Sequence, residues 1–323
     1  MQILVCGGAG YIGSHMVKQL VEDGHDVCVF DNLSTGHREA VQWGRVEIGD
    51  IRSREDLDRV LASDAFDAVM HFSARSLVGE SVDHPADYYD NNVFGTWQLL
   101  EAMRRFQIQS FIFSSTAAVY GHPETELIDE EHPTLPINPY GRTKLAVERM
   151  LLDYAKAYGI DSVALRYFNA AGADPSGRIG EAHEPETHLI PNILKSVATG
   201  SRLKVFGNNY PTDDGTCIRD YIHVADLCQA HLQALEYLND HRGHHCFNLG
   251  IGHGFSVLEV IEAAAQVVGQ PIPYDIVERR PGDPSHLVAD SSLARKKLKW
   301  APAYTDIGAI IRTAWQWHQA PQY

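Results

Sequence analysis

The sequence predicts an α/β protein: a Rossmann-type, doubly wound parallel sheet, followed by a smaller C-terminal α/β portion. Short β-branched runs alternate with longer helix-like segments through the first half of the chain, which is typical of parallel strands joined by helices. The candidate strands are apolar almost throughout, as expected for strands that are buried on both faces of a sheet. After about residue 170 the loops lengthen and the strands become isolated. We therefore expect two domains, 1–170 and 171–323.

The elements of the first half follow in chain order from these patterns. The predicted strands span 3–6, 26–30, 46–48, 68–72, 111–114 and 162–167, and the predicted helices span 11–22, 55–61, 85–105 and 139–158. Pro85 and Pro139 begin two of these helices. A proline is tolerated there because the first helical turn leaves its N–H groups unbonded in any case.

The composition narrows the classes of partner. Lys and Arg number 27 against 42 Asp and Glu, so the formal net charge is −15. An acidic surface repels phosphate backbones and anionic lipids, so we expect neither a nucleic acid nor a membrane as a partner. The first residues run directly into glycines without a basic segment, which favours a first strand over a signal peptide.

Cysteine usage favours a reducing compartment, the cytoplasm. The five cysteines are odd in number and have no CxxC spacing, so we expect no disulfide framework. One His/Cys cluster, at His241, His244, His245 and Cys246, lacks a standard ligand spacing. We interpret it as a solvated turn before a strand at 246–249, and we expect no metal site.

A dinucleotide-binding fingerprint follows the first strand. Gly7, Gly10 and Gly13 form GxxGxxG at the start of the first helix, where bare backbone lets a pyrophosphate approach the helix N-terminus. The second strand ends in Asp31, 18 residues after Gly13. A carboxylate there accepts from ribose hydroxyls and would repel a 2′-phosphate by about 4 kcal/mol at close range. The pattern predicts NAD rather than NADP; the alternative is a tight turn with a surface aspartate.

A candidate catalytic pair lies on the 139–158 helix. Tyr140 and Lys144 are four residues apart, so they share one helix face. A phenol with a pKa of about 10 needs a shift of roughly three units to act as a base near neutrality. Positive charge on Lys144 and on a nicotinamide ring favours the phenolate. Thr116 follows the 111–114 strand and can hydrogen-bond the reacting oxygen, although it can also simply cap the next turn.

With these motifs in this order, the chain resembles the extended short-chain dehydrogenase/reductase family, and within it the enzymes that act on nucleotide sugars. The resemblance covers nearly the whole chain. It extends to segments 49–52, 71–74, 78–81, 89–96, 166–169, 206–208, 210–216, 219–224 and 280–283. It implies that 1–170 is an NAD-binding Rossmann domain and that 171–323 binds a UDP-sugar.

The resemblance also implies roles for individual residues. Tyr140 is the expected catalytic base, Lys144 its electrostatic partner, and Thr116 the hydroxyl that accompanies them. Besides the three glycines, Tyr140 and Lys144, the implied NAD contacts are Tyr11, Ile12, Asp31, Asn32, Leu33, Ser34, Thr35, Gly36, Asp50, Ile51, Phe72, Ser73, Ala74, Arg75, Ser76, Asn91 and Phe168. Besides Thr116 and Tyr140, the implied substrate contacts are Asn169, His188, Leu189, Lys204, Val205, Phe206, Arg219, Tyr221, Arg280, Asp283 and Leu287.

Three positions depart from the family pattern. Ser76 stands where well-known members carry a lysine, and Arg75 beside it could replace that cofactor contact. At Leu287 the family carries either an aromatic residue, which narrows the sugar pocket, or a small one, which admits an N-acetyl group; leucine is intermediate. His188 stands where an amide side chain is also found. Arg219 and Arg280 suit a diphosphate, because a guanidinium offers bidentate donors.

The implied reaction is reversible inversion at C4 of UDP-glucose and UDP-galactose, by transient oxidation with retained NAD. Related dehydratases carry an acidic pair where this chain has Ala117 and Ala118, which cannot transfer protons, so dehydration is disfavoured. A UDP-N-acetylglucosamine or UDP-pentose 4-epimerase, an NAD-dependent sugar-nucleotide dehydrogenase and a non-catalytic NAD-binding regulator stay open. The resemblance further implies a homodimer formed through the 85–105 and 139–158 helices.

Overall fold

A computed structural model describes residues 1–280 and 283–323, so the middle of the 280–283 segment lies outside the described residues. Its main sheet has seven strands in the order β10-β6-β5-β4-β1-β2-β3, and every neighbouring pair is parallel. The doubly wound, Rossmann-type α/β fold is therefore confirmed. The strands of this sheet are β1 (Gln2–Cys6), β2 (Asp26–Asp31), β3 (Arg45–Ile48), β4 (Ala68–His71), β5 (Ser110–Ser114), β6 (Asp161–Tyr167) and β10 (His244–Leu249).

Helices cover both faces of this sheet, as the apolar strands require. Side chains alternate along each strand, so that Ile3 and Val5 face one layer and Leu4 and Cys6 face the other. The first layer contains α1 (Tyr11–Glu22) and α8 (Val224–Tyr237). The second layer contains α2 (Arg54–Leu61), α5 (Thr96–Arg105) and α6 (Pro139–Tyr158). Short helices α3 (Val78–Asp83) and α4 (Pro85–Tyr88) precede α5.

The helix predicted over 85–105 is interrupted. Between α4 and α5, the segment Tyr89–Gly95 is a π-helix. Thr96 Oγ1 donates to the carbonyl oxygen of Asn92 (2.6 Å) and so competes with the backbone amides for this acceptor. Such competition and wide turns interrupt regular helices, often near functional sites. The predicted helical segment 85–105 is therefore helical throughout, with α-helical geometry only before and after these seven residues.

The second half of the chain forms a smaller α/β portion with its own core. Strand β9 (Ile218–His223) pairs with β7 (Asn169–Ala171), β11 (Gly254–Ser256) and β13 (His286–Leu287), and β8 (Leu203–Phe206) pairs with β12 (Tyr274–Val277). Helices α7 (Leu189–Thr199), α9 (Val257–Val268) and α11 (Ile307–Gln319) pack around these strands, and α10 (Ser292–Lys297) lies beside β10.

Two elements from the second half of the sequence belong to the main sheet and its first helical layer: strand β10 and helix α8. Strand β10 extends the main sheet beyond β6, and α8 packs against α1. The boundary between 1–170 and 171–323 stays a prediction. Strand β10 begins at His244, which pairs with Ser162, so the solvated turn expected before residue 246 ends two residues earlier than predicted. Among the described residues, none of the helices combines the length and apolar character that crossing a lipid bilayer requires.

Candidate active site

The strand order places the candidate site at the switch point of the main sheet. Strand β1 lies between β2 and β4, and the connections leave it toward opposite edges, which opens a crevice beyond the carboxyl ends of the strands. The glycine-rich turn follows β1, Asp31 ends β2, and Thr116 follows β5. The elements that carry the predicted cofactor contacts thus meet at one edge.

The glycine turn keeps the start of α1 bare. A Cβ atom on Gly13 would lie 2.0 Å from the carbonyl oxygen of Gly7, and Gly7 has φ = +81°, so side chains are excluded at both positions. A Cβ atom on Gly10 would meet nothing closer than Gly7 O at 3.4 Å. Gly10 is the N-cap of α1 and provides no side-chain cap for the first-turn amides. The space in front of these amides fits a pyrophosphate, so these residues fit NAD.

The Asp31 side chain forms hydrogen bonds with the glycine-rich turn and with the residues that follow β2. Its carboxylate accepts from the Ala9 amide (2.9 Å) and from the Leu33 amide (2.8 Å). It is buried, and burial raises its pKa, although these two bonds favour the charged form. A carboxylate has about four lone-pair positions, so capacity for ribose hydroxyls remains. The alternative of a surface aspartate does not match this burial.

A second carboxylate lies beside this loop. Asp50 accepts from Asn32 Nδ2 (3.0 Å) and pairs with Arg52 (2.7 Å). The Arg52 hydrogen bonds hold the pKa of Asp50 well below its usual range. The predicted contacts at 31–36 and 50–51 are therefore joined by direct bonds.

Local sequence explains how α6 presents the candidate catalytic pair. Asn138 caps the helix by accepting from the Gly141 amide (2.8 Å), and Pro139 occupies its first turn. Tyr140 and Lys144 are buried on the same face of the helix. Lys144 Nζ donates to the Ser114 carbonyl (2.7 Å) and lies 5.9 Å from the centre of the Tyr140 ring. The structure brings the predicted pair to the end of β5.

The Thr116 hydroxyl has one of its two expected roles, since it caps the next turn; its bond to a reacting oxygen stays a prediction. Its Oγ1 accepts from the Ala118 amide (3.2 Å) and so caps the turn that follows. The same side chain contacts Tyr140, and that contact lowers the pKa of the phenol. A capping role and a place beside the candidate base are therefore compatible.

Burial opposes ionisation at both members of the pair. It raises the pKa of Tyr140 to about 12, against the smaller effect of Thr116. It lowers the pKa of Lys144 to about 7, against the charge of Glu148. The protein by itself therefore disfavours the phenolate, and a base at Tyr140 would need additional positive charge nearby, such as a bound nicotinamide ring would supply.

The 72–76 segment closes the crevice beside the glycine turn. A Cβ atom on Gly7 would meet Ser73 N at 2.5 Å, which shows how closely the two backbones approach. The guanidinium of Arg75 pairs with Glu80 (3.2 Å), so the replacement of the missing lysine contact by Arg75 stays a prediction. Buried Asn92 accepts from the Arg75 amide (2.9 Å) and donates to the Thr143 hydroxyl (3.1 Å). Asn92 was not predicted, although it adjoins Asn91 in the same motif.

Strand pairing gathers several predicted substrate contacts. Asn169 on β7 is in register with Tyr221 on β9, and Arg219 on β9 is in register with Leu287 on β13. Leu287 also packs against the apolar cluster that follows Thr116. These positions are far apart in the sequence and come together on one small sheet.

Arg219 and Arg280, the predicted diphosphate ligands, contact other side chains of the protein. Arg219 forms an ion pair with Asp283, and Arg280 lies 4.0 Å from the centre of the Phe206 ring. Phe206 ends β8, which also carries exposed Lys204 and buried Val205. Asp283 is therefore a direct partner of the arginine expected to face the diphosphate.

His188 and Leu189 stand at the start of α7, where His188 is the N-cap. The Nδ1 atom of His188 contacts Glu181, a residue outside the predicted contacts. This charged contact raises the pKa of His188 to about 9, although burial alone would lower it.

A buried polar network beneath the candidate pair was also not predicted. Arg166 Nη2 pairs with Glu148 Oε2 (2.6 Å), and Ser115 Oγ donates to Glu148 Oε1 (2.5 Å). Arg166 Nη1 donates to the Tyr120 hydroxyl (3.0 Å). The available signal was Arg166 itself, a charged residue within an apolar strand.

Comparison with known proteins gives consistent matches. The NAD dependent epimerase/dehydratase family matches residues 3–250. A UDP-glucose 4-epimerase from Halalkalibacterium halodurans is 53% identical over 321 residues, covering 99% of this chain and 96% of that protein. The UDP-glucose 4-epimerase from Brucella ovis, solved in complex with NAD, has a TM-score of 0.94 and 50% identity, covering 97% of each chain. The UDP-glucose 4-epimerase from Bifidobacterium longum, solved with NAD+ and UDP, has a TM-score of 0.94 and 40% identity, covering 99% of this chain and 98% of that chain.

Proposed function

The chain belongs to the NAD dependent epimerase/dehydratase family, and we propose that within it the chain interconverts UDP-glucose and UDP-galactose with NAD as its cofactor. The relatives that match it over almost their full length carry out 4-epimerisation, and solved neighbours hold NAD or UDP. The observation that carries the proposal is the meeting of Tyr140, Lys144 and Thr116 beyond β5, next to a bare helix N-terminus.

Tyr140 is the proposed acid and base. Its phenolate form takes the proton from the sugar 4-hydroxyl as C4 is oxidised, and the resulting phenol returns that proton to the same oxygen as C4 is reduced from its other face. Bound NAD supplies a reversible hydride acceptor, whose positive ring favours a nearby phenolate. Lys144 is held by the Ser114 carbonyl (2.7 Å), so its ammonium group stays beside the phenol and stabilises its charged form. Thr116 donates to the reacting oxygen and positions it.

The proposed substrate contacts separate anchoring from chemistry. Arg219 and Arg280 lie on the C-terminal portion and would hold the diphosphate, with Asp283 competing for Arg219 in the free protein. Inversion requires the sugar to present both faces of C4 to the same atoms. Binding energy placed on the nucleotide, away from C4, holds the intermediate and leaves the sugar free to turn.

The residues after Thr116 favour epimerisation over dehydration within this family. Ala117 is buried and, with Ala118, begins the turn that follows Thr116. Methyl groups cannot transfer the protons that loss of water requires. The structure therefore offers Tyr140 as the group that moves a proton at the sugar.

Product analysis tests the proposal. Purified protein incubated with UDP-glucose should form UDP-galactose without a steady-state rise in absorbance from reduced nicotinamide. Tyr140→Phe should lower kcat by at least about 100-fold, in the range typical of a lost acid–base group. Tyr237→Phe, which changes a tyrosine stacked on His241, is the matched control and should keep wild-type kcat. Net accumulation of reduced nicotinamide would instead indicate a dehydrogenase.

Leu287 is the residue expected to influence which UDP-sugars the protein accepts as substrates. Its side chain packs beside the Thr116 turn, where an N-acetyl group or a missing hydroxymethyl group would be sensed. Parallel assays with UDP-N-acetylglucosamine and UDP-xylose measure whether either is the better substrate. A higher kcat/KM for one of them would replace UDP-glucose as the proposed substrate.

We also propose a homodimer in a reducing, cytoplasmic compartment, where the five free cysteines would stay reduced. Large apolar side chains are exposed on the helices expected at the interface: Tyr89, Phe94, Trp97, Leu152 and Tyr158. A partner helix pair would cover this patch. Sedimentation should give a dimer that Trp97→Asp disrupts, whereas Leu127→Asp, on an exposed loop elsewhere, should not.

A further inference from the structure

Four potential metal ligands converge in the loop that precedes α7. Glu181, His183, Glu186 and His188 each offer one atom, and these atoms lie within 4.8 Å of one another. His183 Nδ1 lies 3.1 Å from Glu181 Oε1 and 3.8 Å from Glu186 Oε2. His188 Nδ1 contacts the same Glu181 oxygen and lies 4.0 Å from Glu186 Oε1. Both imidazoles thus direct the same nitrogen toward the same two carboxylates.

The carboxylates are built into the protein. The side chains of Glu181 and Glu186 are only 5% and 7% exposed. Glu186 Oε1 accepts from the amides of Thr187 (2.7 Å) and His188 (2.8 Å), which fixes its orientation. The carbonyl of Glu181 accepts from Trp317 Nε1 (3.1 Å). These secondary bonds orient the candidate ligands, as outer contacts do in established metal sites.

We propose that Glu181, His183, Glu186 and His188 bind one divalent transition-metal ion, with zinc as the best match. Two imidazole nitrogens and two carboxylate oxygens form a donor set that suits zinc and disfavours magnesium and calcium, which take oxygen ligands. Tetrahedral zinc with bonds of about 2.0–2.1 Å needs ligand atoms about 3.4 Å apart. Three of the separations, 3.1, 3.8 and 4.0 Å, bracket this value, whereas His188 Nδ1 and Glu181 Oε1 are in direct contact and would have to move apart around the ion. The sequence predicts no metal site, and this proposal departs from that expectation at a cluster other than the one at 241–246.

The loop that carries the proposed ligands contacts α1, which begins in the predicted cofactor turn, and leads into α7, which carries predicted substrate contacts. His183 packs edge-to-face on Tyr11, the first residue of α1 (6.2 Å between ring centres), and His188 caps α7. An ion here would fasten the loop between the predicted cofactor turn and the predicted substrate contacts. The proposed role of the ion is structural, because it would hold this loop between α1 and α7.

The alternative is a network of ion pairs without a metal. Protonated His188 beside Glu181 is favourable by itself, and it holds the pKa of Glu181 down to about 2 against the effect of burial. Metal binding requires neutral imidazoles and displaces that proton. The two states therefore differ in direct binding of a metal ion and in proton release, which an experiment can measure.

The test uses NAD-loaded protein that has been dialysed against a chelator and then titrated with Co²⁺ and, by calorimetry, with Zn²⁺. We expect one ion per chain, visible cobalt bands of a tetrahedral site and no ultraviolet thiolate-to-cobalt band. His183→Ala and Glu186→Gln should each weaken binding by at least about 10-fold, as loss of even outer contacts does. His245→Ala, in the other histidine cluster, is the matched control and should bind as the wild type does. His188 is left unchanged, since it is also a proposed substrate contact.

Each other outcome overturns the proposal. Absence of binding, binding that His183→Ala and Glu186→Gln leave unaltered, or a cobalt–thiolate band would assign the cluster to ion pairing alone or the metal to another site. Thermal unfolding gives an independent check on folded protein: Zn²⁺ should raise the midpoint of the wild type and not that of His183→Ala.

Discussion

Alanine substitutions at Gly10 and Gly13 should have different effects: the first should weaken cofactor binding, and the second should lower stability. On Gly13, an added Cβ would lie 2.0 Å from Gly7 O and 2.9 Å from Gly8 Cα, where separations below 3.0 Å essentially never occur. Both obstacles are backbone atoms of the turn between β1 and α1, so neither can rotate away. On Gly10, the nearest atom is Gly7 O at 3.4 Å, so the protein tolerates the methyl group.

The magnitudes follow from these contacts. Overpacking of this kind costs about 3 kcal/mol, and an unfolding entropy of about 0.7 kcal/mol/K for a chain of this length converts it to a midpoint lowered by about 4 °C. Gly10→Ala should lower stability by about 1 kcal/mol, since alanine is a poorer N-cap residue than glycine. Its methyl group stands before the α1 amides, and loss of charge-assisted bonds worth about 3 kcal/mol should weaken NAD binding about 100-fold.

The assay compares two measurements on each variant. Thermal unfolding of NAD-stripped protein reports stability, and the NAD retained per chain after gel filtration reports affinity. Gly24→Ala is an unsuitable control because Gly24 has φ = +83°. Gly79→Ala, with open space around its Cβ, should leave NAD retention unchanged and should not lower the midpoint, since alanine is favoured over glycine in a helix. Wild-type NAD affinity in Gly10→Ala would refute the placement of the pyrophosphate. An unchanged midpoint in Gly13→Ala would refute the packing argument.

Three further predictions concern charge, pocket shape and pH. Glu148→Gln leaves Arg166 buried without its counter-ion and should destabilise the protein by about 3–5 kcal/mol. Changing both residues to Leu should restore most of the unfolding midpoint. A wild-type midpoint in the single variant would contradict this prediction. Leu287→Tyr should lower kcat/KM for UDP-N-acetylglucosamine relative to UDP-glucose by about 10-fold; an unaltered ratio in competition assays argues against Leu287 lining the sugar pocket. The pKa of His188 is raised from 6.5 to about 9 by Glu181 against the effect of burial, so its stabilisation is complete below pH 6.5 and lost as the pH rises through about 9. In metal-free protein, the difference in midpoint between the wild type and His188→Gln should therefore shrink over that window, and a constant difference would count against the pair.

The sequence by itself determined what depends on neighbours along the chain. Short β-branched runs that are apolar almost throughout predicted the strands of the main sheet and their two buried faces. Spacing of four placed Tyr140 and Lys144 on one helix face, and the order strand, glycine turn, helix gave the dinucleotide-binding turn. These features are local because a helix or a strand fixes the directions of nearby side chains.

Tertiary structure decided what depends on residues far apart in the chain. Three sets of contacts join separate elements: the Glu148–Arg166 ion pair, the hydrogen bonds of Asn92 with Arg75 and Thr143, and the Arg219–Asp283 ion pair. Burial, which no local pattern measures, raises the pKa of Tyr140 to about 12. The histidine and glutamate cluster at 181–188 is local in the sequence, but a loop has no regular side-chain directions, so only the folded path of that loop shows that these side chains meet.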